Sequence, residues 1–368
     1  MRSIIDITDL SVEEISELMD TAMDIIANPA KYAHACDGKI LATLFFEPST
    51  RTRLSFEAAM QSLGGSVISL PSADKASSST KGESVADTIK IVNCYADMIA
   101  MRHPLEGSAL VAARNSSTPI INAGDGGHCH PTQTMADLLT IHRYKGRFDH
   151  LVIGLCGDLL YGRTVHSLIN AMSRYPDNRY ILIAPEELKL PDYVKEMMDE
   201  KGIAYEETTD LNAAIPQLDI LYMTRIQRER FKDPANYEKL KDSFCLTVEN
   251  MTLAKEDMCL LHPLPRVNEI SAKVDGDPRA AYFDQALNGK FMRMALILKR
   301  FKDNAEETAA MKRGETRHFV PHYEFGYKGA KINISKCTNP KCISSVEQEL
   351  DQIFVNGRCI YCESKEKE

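Results

Sequence analysis

Apolar positions recur along the chain in two distinct periods. Ile15, Leu18, Met19, Ala22 and Ile25 stand at helical spacing behind Asp9 or Ser11, either able to cap, with Glu13 and Glu14 at the positive end and Asn28-Pro29 as the stop. Ile40–Phe46 is a short apolar run of strand length, Arg53–Leu63 is helical up to Gly64-Gly65, and Val67–Leu70 is a second strand. The Ser-rich stretch that follows is too polar to bury itself and predicts a surface loop. Helix Val85–Tyr95, strand Met98–Met101, helix Ser108–Arg114 and strand Ile120–Asn122 continue the alternation, and a helix from Pro131 to about His142 closes the block. The pattern restarts after Lys145-Gly146 with strand Leu151–Leu155, helix Thr164–Ser173, strand Tyr180–Ala184, helix Asp192–Lys201 and strands Ile220–Met223 and Cys259–Leu261. This predicts an α/β protein with two doubly wound parallel-sheet domains. Expected limits are 1–135 for the first and 136–281 for the second, with helix Tyr282–Phe301 packing back on the first. A charged linker (302–327) and a small cysteine-rich tail (328–368) complete the expected order.

Charge narrows the field. Across 368 residues, 44 Lys+Arg face 52 Asp+Glu, a formal charge of -8, so bulk attraction to nucleic acid or an anionic membrane is not expected. Any anion site must come from local concentration of cations. No run of about 18 apolar residues occurs, so no spanning helix is expected, and the acidic first helix is unlike a secretory leader. The expected location is the cytoplasm. Six cysteines, at 36, 94, 129, 156, 245 and 259, are scattered singly and read as plain thiols, whereas Cys337, Cys342, Cys359 and Cys362 crowd into the tail.

Candidate chemistry gathers at strand ends. Pro48-Ser49-Thr50-Arg51-Thr52-Arg53 lies between a strand end and a helix start, where backbone N–H groups, three hydroxyls and Arg51 could cradle a phosphate. Ordinary capping by Ser49 or Thr50 beside solvated arginines is the plainer alternative. Arg102, His130 with Gln133, Arg163, Arg225 with Gln227, and Arg266 fall at corresponding ends, where open α/β sheets bind ligands. Together they favour one polyanionic ligand site over unrelated surface arginines.

STRTR, MRHP, HPTQT, GDLLYGRTVHSL, MTRIQ and HPLPR, in this order and spacing, resemble the catalytic chains of the aspartate carbamoyltransferase family over residues 1–305. STRTR and HPTQ belong to transcarbamoylases generally; MTRIQ and HPLPR point to aspartate, since an ornithine enzyme would carry a Cys-Leu-Pro segment there. The resemblance implies a carbamoyl phosphate-binding first domain and an aspartate-binding second. Ser49, Thr50, Arg51 and Thr52 would hold the phosphate of carbamoyl phosphate. Arg102, His130 and Thr52 would donate to its carbonyl oxygen, while Gln133 and the backbone of Leu264 and Pro265 would bind its amine. Arg163, Arg225 and Gln227 would take the carboxylates of aspartate. Ser77 and Lys81 would reach into a neighbouring copy, implying a homotrimer or larger assembly with shared sites. The reaction would be carbamoyl transfer to the aspartate amine in pyrimidine synthesis, without a catalytic cofactor. Another transcarbamoylase, or a catalytically silent structural partner, is the alternative.

Other features are weaker. VIGLCGDLLYG lacks the G-x-G-x-x-G spacing of a dinucleotide loop. Asp125, His128, Cys129 and His130 are poor as a metal motif, and the family usually has other residues at 128–129. The tail pattern Cys337-x4-Cys342-x16-Cys359-x2-Cys362 is that of a closed tetrahedral structural zinc site. Two disulfides or a nucleic-acid ribbon are the alternatives, the latter opposed by the tail's glutamates. CTNPKCI and CIYC resemble the zinc domain of the regulatory chain that partners the family's catalytic chain. No α/β block precedes these cysteines after residue 305, so the tail is expected to buttress the first domain or subunit contacts without sensing nucleotides.

Overall fold

The computed structural model describes residues 3–71, 82–227, 234–241, 243–305, 329–347 and 349–367. Ser77 and Lys81 lie outside the described residues. The chain forms two compact units, residues 1–132 with 290–368, and residues 133–289.

The first unit is built on a four-stranded parallel sheet of β1 (Ile40–Phe45), β2 (Ser66–Pro71), β3 (Met98–His103) and β4 (Ile120–Asp125), in the order β2-β1-β3-β4. The central strands are almost wholly buried, as uninterrupted apolar runs require when helices cover both faces. β4 runs past the expected end at Asn122. Asn122 and Asp125 tolerate burial because the Asn122 amide donates to the Ile5 carbonyl (2.9 Å) and to Asp125 Oδ1 (3.0 Å). β3 likewise extends through Arg102 and His103, so Arg102 is a strand residue and does not follow the strand. The helix expected to reach Tyr95 stops at Val92, where the Asn93 side chain accepts from Ser116 and Thr118, each at 2.9 Å.

The second unit carries β5 (Val152–Cys156), β6 (Arg179–Ile183), β7 (Ala204–Thr208), β8 (Ile220–Met223) and β9 (Cys259–Leu261), all parallel, in the order β7-β6-β5-β8-β9. The sequence AYEET of β7 has no apolar run because this edge strand is half-exposed, and it escapes the hydrophobic pattern. The long helix Tyr282–Asp303 starts in this unit, and from Lys290 onward belongs to the first.

The tail folds as a small antiparallel sheet of β10 (Lys331–Ile332), β11 (Ile353–Val355) and β12 (Arg358–Cys359). Its Ile343, Phe354 and Tyr361 share one buried cluster with Ala109–Ala113 of the first unit. Gly107 makes this approach possible: a side chain there would place a Cβ 2.4 Å from that of Tyr361, and its φ of 83° already favours glycine.

Candidate functional site

In the first unit the phosphate-type motif opens the helix Thr50–Ser62 directly after β1. Ser49 occupies the N-cap position with extended backbone, yet its hydroxyl makes no capping bond. The ordinary-capping alternative therefore does not use this residue. The two arginines of the motif differ. Arg53 donates to Ser69 Oγ (3.2 Å) and Glu57 Oε1 (3.4 Å), within a network that Thr43 joins, whereas Arg51 is exposed on the first helical turn.

Arg102 and His130 are buried nearby in the same unit's fold. Arg102 donates to the Ala123 carbonyl (3.4 Å) and to Glu47 Oε1 (3.2 Å). Glu47 carries no motif signal: it is a single acid whose partner lies far along the chain, and the sequence reading omitted it. His130 Nδ1 lies 3.5 Å from Thr132 Oγ1, which in turn accepts from Arg293 Nη2 (3.1 Å). Thr132 Oγ1 accepts from Arg293 and can still give its own proton toward Nδ1, which would leave Nε2–H as the donor facing a ligand. Arg293 also donates to Ser55 (3.1 Å) and stacks over Phe56, so one guanidinium braces both motifs.

His103, beside Arg102, accepts from the Leu105 amide through Nδ1 (3.1 Å), and burial pushes its pKa down to about 4. Its folded pKa lies below the unfolded value, so the unfolded chain binds the extra proton between about pH 6.5 and 4, and stability falls as pH drops through that window. The full effect is about 3 kcal/mol. His103→Asn, which keeps an acceptor but cannot titrate, should flatten the melting-temperature profile between pH 7.5 and 5.

In the second unit, Arg163 begins the helix Arg163–Met172, and Arg225 and Gln227 follow β8; all three are half-buried. The Gln227 amide donates to the Tyr161 carbonyl (3.2 Å) and Asp158 Oδ2 (3.4 Å), and the Asp158 N–H donates to Thr224 Oγ1 (2.9 Å). The ends of β5 and β8 are thus tied together at these side chains. The Gln133 amide donates to Asp137 Oδ1 (2.8 Å), a fully buried carboxylate that also receives Gln285 (2.6 Å) and Tyr222 (3.1 Å). Asp137 was missed although an acid on the apolar face Met135–Leu139 was a readable signal. Leu264-Pro265 is a cis peptide, with the Leu264 N–H donating to His262 Nδ1 (2.8 Å) and His262 Nε2 facing Glu269 (2.7 Å). Arg266 corrects one expectation. Its guanidinium is engaged by Asp275 and Tyr282, so it does not stand as a solvated cation at this strand end.

The four tail cysteines are buried free thiols. Cys337 and Cys362 sulfurs are 3.5 Å apart, Cys342 and Cys359 sulfurs 3.8 Å apart, and all four lie within 4.8 Å of one another. That is far beyond the ~2.05 Å of a disulfide, and matches sulfurs ~2.3 Å from a common tetrahedral ion. Burial pushes the Cys337 thiol up to about 12. This cluster fits a metal ion. Asp125, His128 and Cys129 form a second close group, but the Cys129 thiol donates to the Ile5 carbonyl (3.2 Å) and Asp125 accepts the N–H groups of Gly107 (2.9 Å) and Cys129 (3.2 Å). The Cys129 sulfur also accepts from the Asn122 amide (3.2 Å), so these groups are already satisfied by one another and by the backbone.

Two family models match the chain: the carbamoyl-P binding domain of aspartate/ornithine carbamoyltransferase at residues 2–143 and the Asp/Orn binding domain at residues 149–299. The chain belongs to the aspartate/ornithine carbamoyltransferase family. It is 61% identical over 298 residues to the aspartate carbamoyltransferase catalytic subunit of Clostridium novyi, covering 81% of this chain and 97% of that one. Identity to the Lachnoclostridium phytofermentans protein of the same name is 60% over 299 residues, with the same coverage. Among solved structures, the catalytic subunit of M. jannaschii aspartate transcarbamoylase is 46% identical with a TM-score of 0.77, covering 83% of this chain and 99% of that chain. Aspartate transcarbamoylase from Trypanosoma cruzi in complex with carbamoyl phosphate and aspartate is 39% identical with a TM-score of 0.75, covering 81% and 96%. Neither family model extends into the tail.

Proposed function

We propose that the chain transfers the carbamoyl group of carbamoyl phosphate to the α-amine of L-aspartate, giving N-carbamoyl-L-aspartate and phosphate in pyrimidine synthesis. The observation that carries the reading is the retention, in a chain so similar to named aspartate enzymes, of MTRIQ with Arg225 and Gln227 at the end of β8. Ser49, Thr50, Arg51 and Thr52 receive the phosphate at the start of the helix Thr50–Ser62, where backbone N–H groups and the helix dipole add to Arg51. Arg102, His130 and Thr52 donate to the carbonyl oxygen on which charge builds as the neutral amine attacks. Gln133 and the Leu264–Pro265 backbone hold the carbamoyl nitrogen. Arg163 and Arg225 provide planar forks suited to a dicarboxylate, with Gln227 and Lys81 assisting. The C–N bond forms, the C–O bond to phosphate breaks, and the departing phosphate accepts the amine proton. No side-chain base is assigned.

Ser77 and Lys81 are assigned to a neighbouring copy's site, which makes a homotrimer the smallest working unit. Functional domains of 1–135 and 136–281 and a cytoplasmic location belong to the same reading. No described helix is long and apolar enough to cross a membrane. For the tail cluster we infer zinc, on the four-thiolate donor set and sulfur spacing.

The test is carbamoyl transfer with aspartate and ornithine as competing acceptors. Aspartate should be used and ornithine not; transfer to ornithine, or to neither, defeats the reading. Arg225→Ala should raise KM for aspartate about 10- to 100-fold, since one carboxylate loses a charge-assisted pair, with KM for carbamoyl phosphate changed far less.

A further inference from the structure

The loop between β4 and the helix Pro131–Lys145 ends at His130, and it is gripped from the tail at two points. The Gly127 N–H donates to Glu106 Oε1 (3.2 Å), while Glu106 Oε2 accepts from the tail's Asn339 (2.6 Å). The backbone of Glu106 completes the junction, its N–H donating to the Lys341 carbonyl and its carbonyl accepting from Ile343, both at 2.9 Å. The second point is His128. Its Nδ1 faces Asp125 Oδ2 at 3.1 Å, and its Nε2 faces Glu363 Oε1 of the tail at 3.9 Å. Glu363 follows Cys362 directly and donates its N–H to the Cys359 carbonyl (2.9 Å), so the cysteine cluster sets its position. Burial opposes charge on the His128 ring, but Asp125 beside it raises its pKa well above the ordinary value.

We propose that His128 is a positioning residue: bonded to Asp125 of its own loop and set 3.9 Å from the largely exposed carboxylate of the tail's Glu363, it transmits the tail's docking to the segment that aims His130. Asp125 is itself fixed by the Asn122 amide and the Gly107 N–H, so the His128 ring stands between a fixed loop base and the tail. Sequence reading found His128 and Cys129 to differ from the family's usual residues without an explanation; a tail on the same chain supplies one for His128. The inference rests on the carbamoyl-transfer reading only for its kinetic consequence, because the clamp itself is structural.

The test uses the full zinc-loaded chain with Glu363→Gln, His128→Asn, their double variant, and Glu347→Ala. Glu347 also ties the tail to the first unit, through the Val85 N–H (2.9 Å), but does not touch the loop. In the first two variants, amide hydrogen exchange across residues 125–129 should accelerate about tenfold. Their kcat should fall about threefold to tenfold with KM for carbamoyl phosphate within about twofold, and the double variant should be no worse than the worse single. Glu347→Ala should leave both quantities unchanged. Unaltered exchange at 125–129, losses that multiply in the double variant, or an equal effect of Glu347→Ala would each overturn the proposal. A parent chain that transfers no carbamoyl group yet shows the exchange pattern would sink the functional reading and support the clamp.

Discussion

Replacing His130 by alanine should lower kcat for carbamoyl-aspartate formation by about 10²–10³, the usual cost of removing one preorganised donor to a developing oxyanion. The size follows from the surroundings. His130 is only 5% exposed, and its Nδ1 neighbour Thr132 is braced by Arg293, which is also buried. Water entering the vacated space would be an ill-fixed substitute, because the donor's value lies in being oriented before charge appears. KM for aspartate should change little by comparison. A colorimetric carbamoyl-aspartate assay with both substrates varied separates the two, and a loss confined to KM would remove His130 from the role of oxyanion donor. The same variant tests site sharing. Chains carrying His130→Ala and chains carrying Lys81→Ala should each be nearly inactive, but reassembled mixtures should recover activity if Lys81 serves a neighbour's site. Silence in verified mixed oligomers would confine each site to one chain.

What the sequence made legible follows from where its information is local. β1, β3, β5, β6 and β8 were readable because a buried parallel strand is an unbroken apolar run. β7 was not, since an edge strand half open to solvent can be AYEET. The site motifs were readable as strings, and Ser49, Arg102, His130 and Arg225 stand at or beside the ends of β1, β3, β4 and β8. Which side chains hold them in place was not readable. Glu47 meets Arg102 across 55 positions, Arg293 meets Thr132 across 161, and no local period records such pairs. The tail repeats the lesson. Four cysteines announce a thiol cluster by spacing alone, whereas Asn339 reaching Glu106 across 233 positions leaves no mark on either segment. Arg266 shows the converse, a well-placed cation in the sequence that the fold has already given to Asp275.

Removing the metal from the tail should have the largest effect on stability. The tail's apolar side chains are few, and Ile343, Phe354 and Tyr361 share one buried cluster with Ala109–Ala113. A segment of this size does not fold on such a core, and in small zinc peptides the metal contributes ~10–16 kcal/mol of apparent binding energy that is also folding energy. A strong chelator, or Cys342→Ser, should therefore melt the tail. Each large side chain it withdraws from the first unit costs about 1.5–3 kcal/mol, so losing Phe354 and Tyr361 should lower the melting temperature by roughly 10 °C. The four buried thiols should become reactive toward a thiol reagent at the same time, and native mass should show one zinc lost per chain. Gly107→Ala separates docking from metal binding, because its new Cβ would collide with Tyr361 and changes no cysteine. That variant should keep its zinc and still show the lowered melting temperature. A metal-free chain with unchanged melting temperature and protected thiols would mean that the cluster is held together by packing alone, and the zinc assignment would fall.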